Sequence, residues 1–241
     1  MEAQTTFKRY EVKYILTRKQ RDLLIKAMEG HLALDQYGRH TIRNIYFDTD
    51  SYRLVRTSME KPLYKEKLRV RSYQKATGDS TVFVELKKKF ESVVYKRRLA
   101  LPHRMAMDAL EAGRPLPTDS QIAREIEAFR AFYGERLKPA MLLCYEREAY
   151  APVDGTDFRL TLDENIRWRT HDIDLAGSAM GAAILPPDAV LMELKSPGGY
   201  PLWMVKFLSE NRIYKTSFSK YGTAYQQMME KQENQGGMRY A

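Results

Sequence analysis

Lys67-Leu68-Arg69-Val70-Arg71-Ser72-Tyr73 is the stretch on which the fold reading turns. Side chains alternate between the two faces of a β-strand, so Lys67, Arg69 and Arg71 share one face while Leu68 and Val70 take the other. The same alternation recurs on both sides of it. Val82, Val84 and Leu86 oppose Glu85, Lys87 and Lys89, and Lys96 and Arg98 oppose Val93, Tyr95 and Leu99. Upstream, Glu11 and Lys13 stand against Val12, Tyr14 and Leu16. Later, Arg159 and Asp163 stand against Phe158, Leu160 and Leu162, and Glu193 and Lys195 against Val190, Met192 and Leu194. Period-two patterning of this kind predicts half-buried antiparallel strands, each with one apolar and one charged face.

Extended along the chain, the reading gives strands near Arg9 to Leu16, Thr41 to Asp48, Tyr64 to Tyr73, Ser80 to Lys88, Ser92 to Leu101, Ala140 to Tyr150, Asp157 to Leu162, Ile166 to Thr170 and Ala189 to Lys195. Thr17 is placed to cap a helix reaching about Gly30, with Leu23, Leu24, Ala27 and Met28 as its apolar stripe. A helical stretch spans Arg104 to Leu137, broken at Gly113-Arg114-Pro115-Leu116-Pro117 and restarted by Asp119 or Ser120. Two helices follow at Pro201 to Asn211 and Ser219 to Glu230, and Ala176 to Pro187 reads as an irregular connection. The expected architecture is α+β: a closed antiparallel β-barrel of about eight strands with helices packed outside. Residues 1–231 read as a single domain, and Gln232 to Ala241 as a flexible tail.

Forty Lys and Arg against thirty-one Asp and Glu give a formal charge of +9, which draws anions towards the surface. Cys144 is the one cysteine, so disulfide frameworks and thiolate metal clusters are excluded, in keeping with a reducing cytoplasm. His31, His40, His103 and His171 lack ligand spacing, which argues against a zinc site. No apolar run approaches the roughly 18 to 20 residues of a membrane span. Gly177-Ser178-Ala179-Met180-Gly181 lacks the Lys-Ser or Lys-Thr of a phosphate-binding P-loop, and Tyr46 and Phe47 read as wall packing.

A solvated strand face mixes Ser, Thr, Gln and both charge signs, whereas here Arg and Lys dominate face after face. Turned inward, such cations repel one another and call for a polyanion between them. Guanidinium and ammonium groups neutralise charge on phosphoryl oxygens, Arg as a bidentate fork and Lys as a point charge. A divalent metal would still need a carboxylate, for which Glu193 is the first choice, with Glu11, Glu85 and Asp163 as helpers or charge balancers.

The ordered set Arg9-x-Glu11-x-Lys13-Tyr14, Ile45-Tyr46-Phe47-Asp48, Lys67-x-Arg69-x-Arg71-x-Tyr73, Val84-Glu85-x-Lys87, Tyr95-Lys96-x-Arg98, Arg147, Arg159-x-x-x-Asp163, Met192-Glu193-x-Lys195 and Phe218-Ser219-Lys220-Tyr221 resembles the VTC domain, a branch of the triphosphate tunnel metalloenzymes. The resemblance covers about Phe7 to Tyr225. It implies a tunnel barrel that transfers the terminal phosphate of ATP to a growing polyphosphate, with Mn²⁺ (or Mg²⁺) as cofactor. By the same resemblance, Lys13, Arg69, Arg71, Lys87, Lys96, Arg98, Arg147 and Arg159 form the catalytic cationic set. Glu11, Glu85, Lys195, Ser219 and Lys220 contact substrate, and Glu193 and Asp163 hold the metal. Ser219 and Lys220 would open the last helix, whose free N–H groups also suit phosphate. Other tunnel enzymes resemble one another through an opening Glu-x-Glu-x-Lys; Arg9 replaces the first acid here, which favours the VTC branch.

Three functions fit these residues: a polyphosphate polymerase, a metal-dependent triphosphatase that admits water as the nucleophile, and a non-catalytic polyphosphate-binding module. Specific nucleic-acid binding is disfavoured, since no RNP-like aromatic run or Gly-rich clamp is present.

Overall fold

The computed structural model describes residues 10–91, 93–133 and 137–237. Arg9, at the head of the first quoted motif, lies outside them, as do Ser92 and residues 238–241 of the expected tail. In chain order the elements are β1 (Tyr10–Thr17), α1 (Arg18–Ala27), β2 (Leu32–Leu34), β3 (His40–Asp48), α2 (Arg53–Met59), β4 (Tyr64–Ser72), β5 (Thr81–Phe90) and β6 (Val93–Pro102). These are followed by α3 (His103–Glu111), α4 (Gln121–Phe132), β7 (Lys138–Pro152), β8 (Arg159–Arg169), β9 (Ala182–Ala183), β10 (Ala189–Ser196), α5 (Leu202–Glu210), β11 (Lys215–Thr216) and α6 (Lys220–Gly237). Helix α6 takes in residues 232–237, which the sequence reading gave to the tail.

Strand pairing follows the order β11-β1-β10-β8-β7-β3-β4-β5-β6, with β2 added on β7 and β9 on β8. This is an antiparallel sheet of eleven strands that does not close, in place of the expected closed barrel of about eight. Alternation fixes which face a side chain takes; closure depends on what the two terminal strands pair with, and alternation is silent on that. The leading half of β6 shows the open edge: Val93, Val94 and Tyr95 are all more than two-fifths exposed. The three extra strands are two or three residues long, too short to show a period. Asp157 to Leu162 and Ile166 to Thr170 belong to one strand, β8. Of the three residues between them, Asn165 has φ +49°, a left-handed conformation that asparagine tolerates better than most residues.

The described chain forms two compact units. One comprises residues 10–41, Tyr145–Ile166 and Leu185–Phe218. Its core joins Tyr14 and Leu16 of β1, Leu160 and Leu162 of β8, and Val190, Met192 and Leu194 of β10 to Leu24 of α1 and Met204 and Phe207 of α5. Thr17 caps α1 in a reciprocal box with Gln20, as its position ahead of the apolar stripe predicts.

The second unit comprises Ile42–Cys144, Arg167–Ile184 and residues 219–237. Leu68 and Val70 of β4 and Val82, Val84 and Leu86 of β5 are wholly buried against Ala106 and Leu110 of α3 and Ile126 and Phe129 of α4. The helices therefore cover the apolar face, and the charged residues of the same strands take the opposite one. Ser120 is the cap of α4, its hydroxyl accepting from the Ala123 amide at 3.2 Å.

The Gly-Ala-Pro connection is pinned rather than loose. Arg169 is buried, and its guanidinium donates to the carbonyls of His171, Asp172, Ser178 and Met180 at 2.6 to 3.1 Å. Arg43 donates to the Gly177 carbonyl at 2.6 Å. A Cβ on Gly181 would lie 2.4 Å from the Trp168 carbonyl oxygen, so only glycine fits there. Arg169→Ala leaves several carbonyls without their donor and is expected to cost about 2–3 kcal/mol, with faster amide exchange across residues 171–181. Urea unfolding with site-resolved hydrogen exchange measures both.

Candidate functional site

The second unit carries a cationic ladder across three strands. Pairing sets Tyr46 opposite Arg69, Arg69 opposite Glu85, and Glu85 opposite Arg98. The adjacent rung on the same face is Lys67, Lys87 and Lys96. Glu85 is 1% exposed and is shared by several cations. Its Oε2 accepts from Arg69 Nε at 2.7 Å, while its Oε1 accepts from Arg98 Nε at 2.8 Å and Lys96 Nζ at 2.8 Å; Arg71 Nε stands 3.8 Å away. Burial alone would raise this carboxyl, but Arg69, Arg71 and Lys96 outweigh it and hold it far below the usual carboxylate range.

Lys67, Arg69, Arg71, Lys87, Lys96 and Arg98 thus crowd one face of three strands around the buried Glu85. At an effective dielectric of about 20, two like charges about 4 Å apart repel by about 4 kcal/mol. Lys96 registers the strain. Desolvation between the strands, joined by repulsion from Arg98 and Arg71, outweighs the attraction of Glu85 and lowers its ammonium to about 8. The Tyr73 hydroxyl accepts from Arg98 at 2.8 Å; burial would raise it, but Arg71 and Arg98 bring it down.

Aromatic and amide groups aim these cations. Arg69 donates to the Tyr46 hydroxyl at 3.1 Å, and Tyr46 stacks on Tyr221 of α6 with centroids 4.4 Å apart. Tyr46 therefore does more than pack the wall, whereas Phe47 is core as expected. The Tyr221 hydroxyl donates at 2.9 Å to Asp48, which is fully buried and accepts the Leu54 and Val55 amides that open α2. Asn44, also fully buried, accepts from Arg71 Nε at 2.9 Å and donates to the Leu143 carbonyl. Asn44 was not singled out in the sequence, and Asp48 was quoted within a motif but given no role. A signal existed for Asp48, since Asp-Thr-Asp-Ser ahead of a helical run is cap chemistry. The Ser219 hydroxyl accepts from Lys67 Nζ at 3.1 Å and from the Gly222 amide, so it caps α6, whose first residue is Lys220. Lys88 turns to the other face, 3.6 Å from Glu66.

The first unit carries its own charged face. Here Glu11 lies opposite Lys195 and Lys195 opposite Arg159, while Lys13 lies opposite Glu193 and Glu193 opposite Thr161. Lys13, Lys195 and Arg147 approach the Glu193 carboxylate at 3.8, 3.7 and 3.9 Å, and Lys13 also approaches Glu11 at 3.5 Å. Lys13 donates to the Phe218 carbonyl at 2.9 Å. Arg147 forms a two-pronged pair with the buried Asp163, at 2.6 and 2.7 Å. Arg159 does not join this cluster closely: its side chain is 60% exposed and stands 3.7 Å from Asp157.

These contacts bear on a metal. Among the described residues no three Asp, Glu, His or Cys side chains converge on a metal-sized point, and both Asp163 oxygens are engaged by Arg147. An all-protein metal cage does not fit. What fits is a divalent ion held by Glu193, with Glu11 nearby, that completes its shell with phosphate oxygens and water, as Mg²⁺-type ions commonly do. The Thr161 hydroxyl, opposite Glu193, is buried without a hydrogen-bond partner, and such a shell would satisfy it.

Two predictions follow from the ladder. Glu85→Gln removes the buried anion shared by Arg69, Lys96 and Arg98 and should lose about 3–5 kcal/mol, part of it regained in tripolyphosphate; thermal melts with and without tripolyphosphate measure this. Because the Lys96 ammonium is present below about pH 8 and lost above it, tripolyphosphate affinity should fall as pH rises through 8. Lys96→Arg should flatten that fall, as calorimetric titration across pH 7 to 9.5, or about that span, would record.

The VTC domain profile matches residues 8–229. Comparison with curated protein sequences gives no match. Among solved structures, a candidate adenylate cyclase from Bacillus halodurans superposes with a TM-score of 0.58 at 17% identity, over 90% of this chain and 96% of that one. A Hippeastrum protein, described as an adenylyl cyclase candidate with a dominant triphosphatase activity, gives a TM-score of 0.53 at 18% identity, over 88% and 92%. These superpositions show a shared fold, and the profile match spans nearly the whole chain: it belongs to the VTC domain family.

Proposed function

We propose that the chain is a metal-dependent phosphotransferase that moves the terminal phosphate of ATP onto a growing polyphosphate. The observation that carries this reading is the Glu85 ladder: Arg69, Arg71, Lys96 and Arg98 gathered on one buried carboxylate. That carboxylate fixes the guanidinium planes in advance, and a preorganised fork of N–H donors suits phosphoryl oxygens. Family membership supports the substrate class.

In the reaction, a terminal phosphate oxygen of the acceptor attacks the γ-phosphorus of ATP. A P–O bond forms to the chain as the bond between the γ-phosphorus and the β,γ-bridging oxygen breaks, and that electron pair leaves on ADP. The attacking oxygen is already anionic, so no protein base is required. Arg69, Arg71, Lys96 and Arg98 bind and orient phosphate oxygens on the ladder, with Lys67, Lys87, Ser219 and Lys220 beside them. In the first unit, Lys13, Arg147, Lys195 and Arg159 would supply cations, and Glu193, with Glu11, would hold Mn²⁺ or Mg²⁺. When bound, the divalent ion neutralises charge developing on the phosphate oxygens.

Hydrolysis of triphosphate is the second reading, favoured by the triphosphatase activity described for the Hippeastrum neighbour. Incubation with ATP and Mn²⁺ separates the two. Long polyphosphate with matching ADP is the expected result, lost by at least about 100-fold in Glu193→Gln while tripolyphosphate still binds. Orthophosphate without polymer would make the protein a hydrolase; binding with neither product would leave a binding module.

A further inference from the structure

We propose that Thr161 is a positioning residue in the first unit: its hydroxyl donates to the Glu193 carboxylate and holds it in the orientation that takes a divalent ion. The inference rests on the reading of Glu193 as the metal-holding carboxylate and adds to it a residue that falls on an unspecified position of the Arg159-x-x-x-Asp163 motif.

The strand register carries the argument. Thr161 of β8 lies directly opposite Glu193 of β10, and Lys13 of β1 lies opposite Glu193 on its other side. Side chains directly opposite one another on antiparallel strands share a face, with Cβ atoms about 4.5–5.5 Å apart, so rotation of the longer side chain alone brings the carboxylate to the hydroxyl. Both residues are buried, Thr161 at 9% and Glu193 at 7% exposure, yet the Thr161 hydroxyl has no hydrogen-bond partner among the described residues. An unpaired buried hydroxyl costs stability. Valine has nearly the same shape and suits a strand as well, so packing gives no reason for a hydroxyl at this position, whereas a carboxylate that must be held does.

The neighbours fit the same assignment. On the same face of β8, Asp163 is committed to Arg147 through both oxygens, and the Arg159 side chain is 60% exposed beside Asp157. Lys13, Lys195 and Arg147 stand 3.8, 3.7 and 3.9 Å from the Glu193 carboxylate and compete with Thr161 for it. Phosphate oxygens attract those same three cations, so ligand binding releases Glu193 to turn towards the hydroxyl. A neutral donor then fixes one carboxylate oxygen and leaves the other for the ion, which is how metal-ligating carboxylates are commonly oriented by the groups around them.

Thr161→Val and Thr161→Ser test this in the intact protein, with Mn²⁺ alone as the probe in a sulfate buffer whose anion occupies phosphate positions. Water-proton relaxation reports bound Mn²⁺ without any turnover. Thr161→Val should weaken Mn²⁺ binding by about 10- to 100-fold, and Thr161→Ser, which keeps the hydroxyl, should recover most of the loss. In metal-free protein Thr161→Val should melt no lower than the wild type, because it removes a buried hydroxyl that has no partner. A lower melting temperature would assign the hydroxyl a purely structural role and overturn the inference. Wild-type Mn²⁺ affinity in Thr161→Val, with that affinity lost in Glu193→Gln, would overturn the inference alone. Mn²⁺ binding that survives Glu193→Gln, or none in the wild type, would overturn the metal reading of Glu193 and the inference with it.

Discussion

A buried carboxylate outnumbered by cations is the constraint from which the second unit's organisation follows. Glu85 sits directly between Arg69 and Arg98 in the strand register, with Lys96 and Arg71 closing on it. Remove the register and the cations disperse; remove the anion and they repel. The apolar face of the same strands supplies the opposing force, because burying Leu68, Val70, Val82, Val84 and Leu86 under α3 and α4 holds the strands together despite the repulsion on the other side. Each strand is thus stabilised through one face and strained on the other.

A second arrangement keeps the strained face in shape. Asp48 accepts from the first amides of α2 and from Tyr221, Tyr221 stacks on Tyr46, and Tyr46 accepts from Arg69. A helix start, a C-terminal helix and a central strand meet in that chain of contacts, and its end member is a phosphate-binding candidate. Asn44 does the same for Arg71 with a single amide. The groups that touch the cations, Tyr46 and Asn44, are neutral, which is why they can stiffen the cations without cancelling them.

What could be read from the sequence, and what could not, divides along physical lines. The face of each charged residue was legible because alternation is a local property of the strand, and Lys67, Arg69 and Arg71 lie where it puts them. Whether the sheet closes was not, because that depends on terminal strands distant in sequence and on pieces such as β11, two residues long. Partnerships were the least legible. Asp163 was read for a metal, and nothing in the sequence showed that Arg147, sixteen residues upstream, pairs with both its oxygens. Arg169 was read only as part of the short strand Ile166 to Thr170, yet it organises the connection that follows through carbonyls, which leave no mark in a one-letter code. Gly181 carried only the weak signal of any glycine until the Trp168 carbonyl proved to lie against it.

The crowding of like charges on the ladder also has an evolutionary meaning. A protein that keeps repelling charges together carries a folding penalty for the sake of its ligand, so substitutions that thin the cations should raise the melting temperature while they erode activity. Drift towards greater robustness then runs against function at these positions. The opposite face offers no such conflict: there, better packing between β4, β5, α3 and α4 serves fold and function alike, and it is where tolerance for the strained face can accumulate.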